Sequence, residues 1–554
     1  MRQDIDFRFI TCLILIASLS SCASFLGMNP KALSPKKAGK YPSFTQADSL
    51  LGGLNKLRTC YDVRHYNLKL TIEPKTEYLS GEMIMTFDAL EEMSALQLDL
   101  QPPMLITEAE ILGKPVAFSR THGAYVLTLP HLAVQQGYLL KVKFEGQPKT
   151  AKRPPWNGGL VWKKDKNKNP WIGVACEGDG ASLWWPLKDH ISDEPDSVSL
   201  TFHVPEKLVA VSNGRLISQD EGWKWETSYP INPYNVTFYA GDFVHFELPH
   251  SDSIHMLDFW VLPENKEIAK SHFEQVAPII AFFESVFGEY PWWKDGFKLV
   301  ESPYAGMEHQ TAIAYGNGYR NRFGADFDYI ILHETAHEWW GNSVSAADFA
   351  DIWLHEGFAT YSEALYVEHI SGYDAYLDYL NEYRLFIKNK RPVVGPYGVS
   401  HFDYKDSDPY VKGAWVLHGL RTVMGKEKFM ELLFEFATQY RQKTVTSTDF
   451  IDLAESTYGK DLSWYFKQYL YRRAVPVLRY TVEEGNSEDM LHFRWTDTHS
   501  EFKAEIPLLL NGETIRIPVK TELQSMEVER GSSLFFSTSA YYYRILRVDS
   551  VKDL

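Results

Sequence analysis

A run of five residues constrains this chain more than any other feature. His333-Glu334-Thr335-Ala336-His337 sets two imidazoles four positions apart, and Glu356 follows the second of them after nineteen residues. Positions four apart share one helix face, so a helix over Tyr329 to Trp340, ended by Gly341, would aim both histidines at one point with Glu334 turned beside them. Glu356 sits in Trp353-Leu354-His355-Glu356-Gly357-Phe358-Ala359, which opens a second helix. Any fold of this chain must lay that helix against the first if the carboxylate is to join the imidazoles. Two nitrogens and one carboxylate, with a fourth position left open, is the pattern of a catalytic zinc site, because structural sites close all four. His333, His337 and Glu356 are therefore the expected ligands and Glu334 the expected general base and acid, and the reaction class is metal-assisted amide hydrolysis. His355 and Glu363 can either orient those ligands or face solvent.

The remaining sequence has to supply a frame for that pair of helices. A length of 554 residues gives a prior of three to four domains. With 45% hydrophobic and 23% charged residues, the composition is that of a globular protein. Lys plus Arg total 56 against 72 Asp plus Glu, a net charge of -16 that argues against nucleic acid as a partner. Period-two alternation at Tyr66, Leu68, Leu70 and Ile72, at Met83, Met85 and Phe87, and at Leu140, Val142 and Phe144 predicts an antiparallel β domain, with strand-like runs as far as Val236 to Phe246. Lys163 to Lys168 reads as a solvated hairpin tip. Helix-spaced apolar residues then run from about 265 to 472. Beyond Pro476 strands return, with Asn511-Gly512 marking a tight hairpin and a small sandwich expected.

The first residues form an address. Phe7 to Leu19 is apolar almost throughout and too short to span a bilayer unaided, as in a cleaved signal. Leu19-Ser20-Ser21-Cys22 resembles the lipobox of bacterial lipoproteins, which implies a lipidated Cys22, a membrane anchor and a place in the bacterial cell envelope. The expected divisions are a signal at 1–21, a tether at 22–55, a β domain at 56–250, the catalytic region at 251–474 and a β-sandwich-like domain at 475–554. Four cysteines cannot scaffold a chain this long, and Cys60 and Cys176 are expected as separate buried thiols.

HETAHEWWGN followed by WLHEGFATYSE resembles the M1 family of zinc aminopeptidases, the gluzincins. Ala305-Gly306-Met307-Glu308-His309 is similar to that family's exopeptidase motif, GAMEN or GGMEN, with Glu308 twenty-five residues ahead of His333. The resemblance implies that Glu308 binds the substrate's free α-ammonium while Gly306 and Met307 line the cleft. Ala305 and His309 depart from the usual Gly and Asn. Glu177, ahead of Trp184-Trp185-Pro186, is implied as a second amine contact, and Tyr410 in Pro409-Tyr410-Val411-Lys412-Gly413 as donor to the oxyanion. A multidomain α+β fold is also implied, with a saddle-like antiparallel β domain, a thermolysin-like and mainly helical catalytic domain, and a small β-sandwich. One zinc ion per chain and peptides with a free N-terminus are the cofactor and partners. Many members continue into a further helical domain; this chain ends after the small β domain, which implies a more open cleft. An endopeptidase or other hydrolase on the same scaffold and a non-catalytic envelope binding protein are the alternatives.

Overall fold

The computed structural model describes residues 44–322, 324–400 and 407–554. The signal, Cys22 and most of the tether lie outside these residues. The last part of the expected tether is folded as α1 (Gln46–Gly52), and α2 (Lys56–Thr59) opens the β domain before the first strand. Thr45 and Asp48 close a capping box at the start of α1. Side chains of the β domain hold its far end, Gln97 Nε2 donating to the Leu50 carbonyl at 3.1 Å. Arg58 Nη1 donates to the Leu51 carbonyl at 2.7 Å and ion-pairs, fully buried, with Asp99. Composition alone hid this, because docking here runs through backbone carbonyls and one buried arginine rather than an apolar stripe.

The N-terminal domain is built on an eight-stranded sheet. Its central strand, Tyr61–Glu73, pairs antiparallel with Tyr78–Ala89 and parallel with Ser197–His203, so the sheet is mixed where an antiparallel one was expected. Alternation reports which faces are buried and is silent on strand direction. A three-stranded and a four-stranded sheet complete the domain, and Lys163 to Lys168 spans the turn between paired strands Gly159–Lys164 and Pro170–Ala175. Leu68, Met83, Phe87, Val142 and Trp185 belong to a second core, which also takes in Val300, Met307 and Ala314 of the catalytic region. Cys60 and Cys176 are free and buried.

The boundary expected at residue 250 falls earlier. Val244–Pro249 pairs with Met256–Val261 in a five-stranded sheet that also holds Phe297–Glu301, Ile313–Tyr315 and Gly306–Met307 and belongs to the catalytic region. The apolar run from Val236 to Phe246 thus crosses from one sheet to another, and periodicity cannot mark the crossing.

The catalytic region continues with α3 (Lys266–Phe273), α4 (Val276–Phe287), α5 (Tyr329–Ala336), α6 (Trp353–Ser371), α7 (Tyr373–Arg384), α8 (Gly413–Met424), α9 (Lys426–Gln439), α10 (Ser447–Tyr458) and α11 (Ser463–Tyr469). Two sheets follow, and Leu510 pairs with Glu513 around Asn511-Gly512, both at positive φ as a type I′ turn requires. Their inner residues, among them Leu478, Phe493 and Ile506, share one continuous core with the catalytic helices. Among the described residues, no helix is long and apolar enough to cross a bilayer.

Candidate metal centre

Asp328 caps α5 through the Ile330 amide, and the helix ends at Ala336 with His337 as its C-cap, four residues before the Trp340 expected from sequence. The early stop follows from His337 itself, whose Nδ1 donates to the Trp340 carbonyl at 2.8 Å as the chain turns toward Gly341 at φ 115°. His333 is fixed in the same way, Nδ1 donating to Glu363 Oε1 at 2.7 Å. Each ring has spent its proton on Nδ1, so both Nε2 atoms present lone pairs.

Those lone pairs converge. The two Nε2 atoms lie 3.1 Å apart, and Glu356 Oε2 lies 3.3 Å from one and 3.4 Å from the other. Bonds of about 2.0–2.1 Å to a tetrahedral ion would set ligand atoms roughly 3.3–3.4 Å apart, close to this triangle. Glu356 Oε2 is buried and has no hydrogen-bond partner. Three electron-rich atoms facing one another without a proton between them fit a divalent cation, and His333, His337 and Glu356 are the residues to hold it.

Glu334 lies against the exopeptidase-like segment. A Cβ built on Gly306 would overlap Glu334 Oε1, so only glycine leaves room for the carboxylate. Burial first, then the charges of Glu308 and Glu356, push Glu334 up to about 8, against the opposing pull of His333 and His337. A bound cation would draw that value down.

Glu308 is buried, and Tyr234 donates its hydroxyl to Glu308 Oε1 at 3.0 Å. Asn342 Nδ2 donates to the Glu308 carbonyl at 2.9 Å, and Asn235 Nδ2 in turn to Asn342 Oδ1 at 2.7 Å. Glu177 reaches the same region: burial, followed by the charges of Glu308, Glu356 and Glu334, raises it well above its ordinary value. The charges acting most strongly on these four carboxylates are one another's and those of the two histidines. Such a site favours cations, both a metal and an ammonium.

Tyr410 sits in a single wide turn, Asp408–Lys412, that leads into α8. That turn presses on α6, because a Cβ on Gly357 would come within 3.0 Å of the Gly413 Cα and the Pro409 carbonyl. The Tyr410 ring lies 6.3 Å from His333, nearly parallel to it, and burial followed by the charge of Glu356 keeps its phenol protonated. His309, in place of the usual Asn, donates Nδ1 to the Tyr239 hydroxyl at 2.7 Å and is held neutral by burial. His355 does not touch the ligands; its Nε2 accepts from the Ala346 amide at 2.7 Å. The sequence offered no sign of Tyr234, which stands in no recognisable spacing to Glu308. Asn342 was visible only as the last residue of HETAHEWWGN.

Residues 271–469 match the model of the peptidase family M1 domain. Relatives include "Probable aminopeptidase 2" of Sulfurisphaera tokodaii, 23% identical over 70% of this chain and 52% of its own length. "Leucine aminopeptidase 2" of Lodderomyces elongisporus is 24% identical over 76% of this chain and 70% of its own. For several others, among them "Tricorn protease-interacting factor F2" of Thermoplasma acidophilum, the chain spans about half their length. The M1 zinc metallopeptidase of Deinococcus radiodurans has a similar fold, with a TM-score of 0.64 at 22% identity over 75% of this chain and 94% of that one.

Proposed function

We propose that this chain, whose residues 271–469 match the peptidase family M1 domain, is a member of that family and a zinc aminopeptidase releasing single residues from the free N-terminus of peptides. The observation that carries this reading is the buried triangle of His333, His337 and Glu356 with the Tyr234-braced carboxylate of Glu308 close by. Several relatives are named as aminopeptidases, and one solved Deinococcus structure is of a mutant bound to a Tyr-Ser-Ala substrate.

His333, His337 and Glu356 would hold zinc, which when bound would supply a Lewis acid for the scissile carbonyl and a water with its pKa lowered toward about 7. Glu334 takes the proton of the attacking water and returns it to the leaving amine. Tyr410, its phenol kept protonated by burial and the surrounding carboxylates, donates to the carbonyl oxygen as charge develops there. Glu308, with Glu177 beside it, receives the α-ammonium, and a mid-chain segment with no charge at that point leaves both carboxylates buried and uncompensated. The acetylated end of a blocked peptide is refused for the same reason.

The test is a panel of aminoacyl fluorogenic substrates and their N-acetylated counterparts, with and without chelator. Cleavage confined to free amines and abolished by chelator is expected, and equal cleavage of acetylated peptides would overturn the exopeptidase reading in favour of an endopeptidase. Anchoring through Cys22 in a bacterial envelope is also proposed, on the sequence of Leu19 to Cys22. The full chain is expected in the membrane fraction and a Cys22→Ser chain in the soluble one; a Cys22→Ser chain still bound to membrane speaks against it.

A further inference from the structure

Behind His333 lies a cluster that the proposed reaction does not use. Glu363 stands two helical turns beyond Glu356 on α6, so the two carboxylates share a face. Glu356 turns to the metal triangle, and Glu363 Oε1 accepts from His333 Nδ1 at 2.7 Å. The other oxygen of Glu363 is occupied as well. Tyr383 donates its hydroxyl to Glu363 Oε2 at 2.7 Å, and Tyr379 donates to the same atom. The two hydroxyls lie 3.2 Å apart, one turn from each other on α7. The Arg322 guanidinium lies 4.1 Å from the Tyr379 ring centroid and 5.9 Å from that of Tyr383, and it pairs with Glu382 on the same helix. Glu363, Tyr379 and Tyr383 are all buried.

Three donors on one buried carboxylate leave it no freedom to rotate. A carboxylate that cannot rotate holds the His333 ring in one tautomer and one orientation, with Nε2 toward Glu356 and His337. We propose that Tyr379 and Tyr383 are positioning residues for the metal, acting through Glu363 on His333. The inference rests on the reading of His333, His337 and Glu356 as a zinc site. It extends that site to α7, an element that supplies no ligand, and assigns a function to a pair of hydroxyls rather than to their rings. In water the same two phenols would exchange their hydrogen bonds freely; in a dry interior, removing one leaves Oε2 with a single donor and removing both leaves it with none.

Tyr379→Phe and Tyr383→Phe delete the hydroxyls and keep the rings, so packing and the contact with Arg322 are retained. Zinc affinity of the full chain, measured by competition with a chromophoric chelator, is the readout, and melting of the metal-free proteins reports whether the fold is intact. Each single variant is expected to weaken zinc binding by about threefold to tenfold and the double variant by about 10-fold to 100-fold, the range seen when partners behind a metal ligand are removed. Tyr376→Phe is the control. Tyr376 is also buried on α7, but its hydroxyl bonds to Tyr361 and His418, so zinc affinity should be unchanged. Wild-type affinity in the double variant overturns the proposal, as does an equal loss in Tyr376→Phe, which would mean that α7 has merely loosened. A wild-type chain that binds no zinc removes the metal reading itself, and with it this one.

Discussion

Gly306 owes its identity to Glu334. With the carboxylate packed where a Cβ would go, Gly306→Ala must displace Glu334, the proposed general base, or the strand, while His333, His337 and Glu356 stay where they are. The expected outcome is a fall in kcat of at least about 100-fold with one zinc still bound, checked by kinetics and metal analysis on the same preparation. Glu308→Gln keeps shape and removes charge, so it should act on KM. Losing the charged partner of an ammonium costs about 2 kcal/mol or more, which is about thirtyfold in KM, with a smaller change in kcat. If kcat fell and KM held, Glu308 would not be the amine anchor. Residues of the metal triangle were legible because a four-residue spacing becomes geometry the moment it is helical, as with His333 and His337. Tyr234, Tyr379 and Tyr383 were not, since their partners are far away in sequence and a tyrosine among thirty-two carries no spacing signal.

At the scale of elements, the crossing of α6 with the turn at Asp408–Lys412 sets the distance between Glu356 and Tyr410, the proposed ligand and oxyanion donor. Gly357 and Gly413 make that crossing possible by letting backbone meet backbone. Gly413→Val should push the turn outward, lowering kcat by about 100-fold, as expected when an oxyanion donor is lost, and lowering stability by roughly 1–3 kcal/mol from overpacking. Zinc content should not change, and a parallel loss of metal would place the defect in α6 instead. The helical character of the region from about 265 to 472 was readable from its 3.6-residue pattern, and so was the hairpin at Asn511-Gly512. The five-stranded sheet beside them was not recognised. Phe297–Glu301 is buried at every position, so it has no alternation to read, and Ile313–Tyr315 has only three residues. The docking of α1 was hidden for a different reason, as it depends on carbonyls and Arg58.

Across the whole molecule, the N-terminal domain meets the catalytic region through buried polar groups. Asn232 Nδ2 donates to Ser345 Oγ at 3.0 Å and to Glu194 Oε1 at 3.3 Å. Burial at this contact raises Glu194 to about 7, against the hydrogen bonds of Ser345 and Asn232. A carboxyl whose folded value lies above its unfolded one binds the proton more tightly when folded. Its contribution is therefore complete below about pH 4.5 and lost as pH rises through about 7. Glu194→Gln should remove that slope, leaving the protein more stable than wild type at pH 8 by up to about 3 kcal/mol and little changed at pH 4.5, as read from melting curves across the range. A wild-type slope unchanged in the variant would assign the titration elsewhere.

The division of cores has a consequence for how this molecule fails. The metal triangle, Glu334 and Tyr410 lie in the body that shares one core with the C-terminal strands, whereas Tyr234 belongs to the second core, which closes against Val300, Met307 and Ala314 of the five-stranded sheet. The proposed amine anchor is therefore assembled across a seam between two bodies, and the proposed metal site lies wholly on one side of it. A local opening at that seam costs less than unfolding either core. Under rising denaturant, the ability to recognise a free N-terminus should disappear first, while the chain still holds its metal and both of its cores.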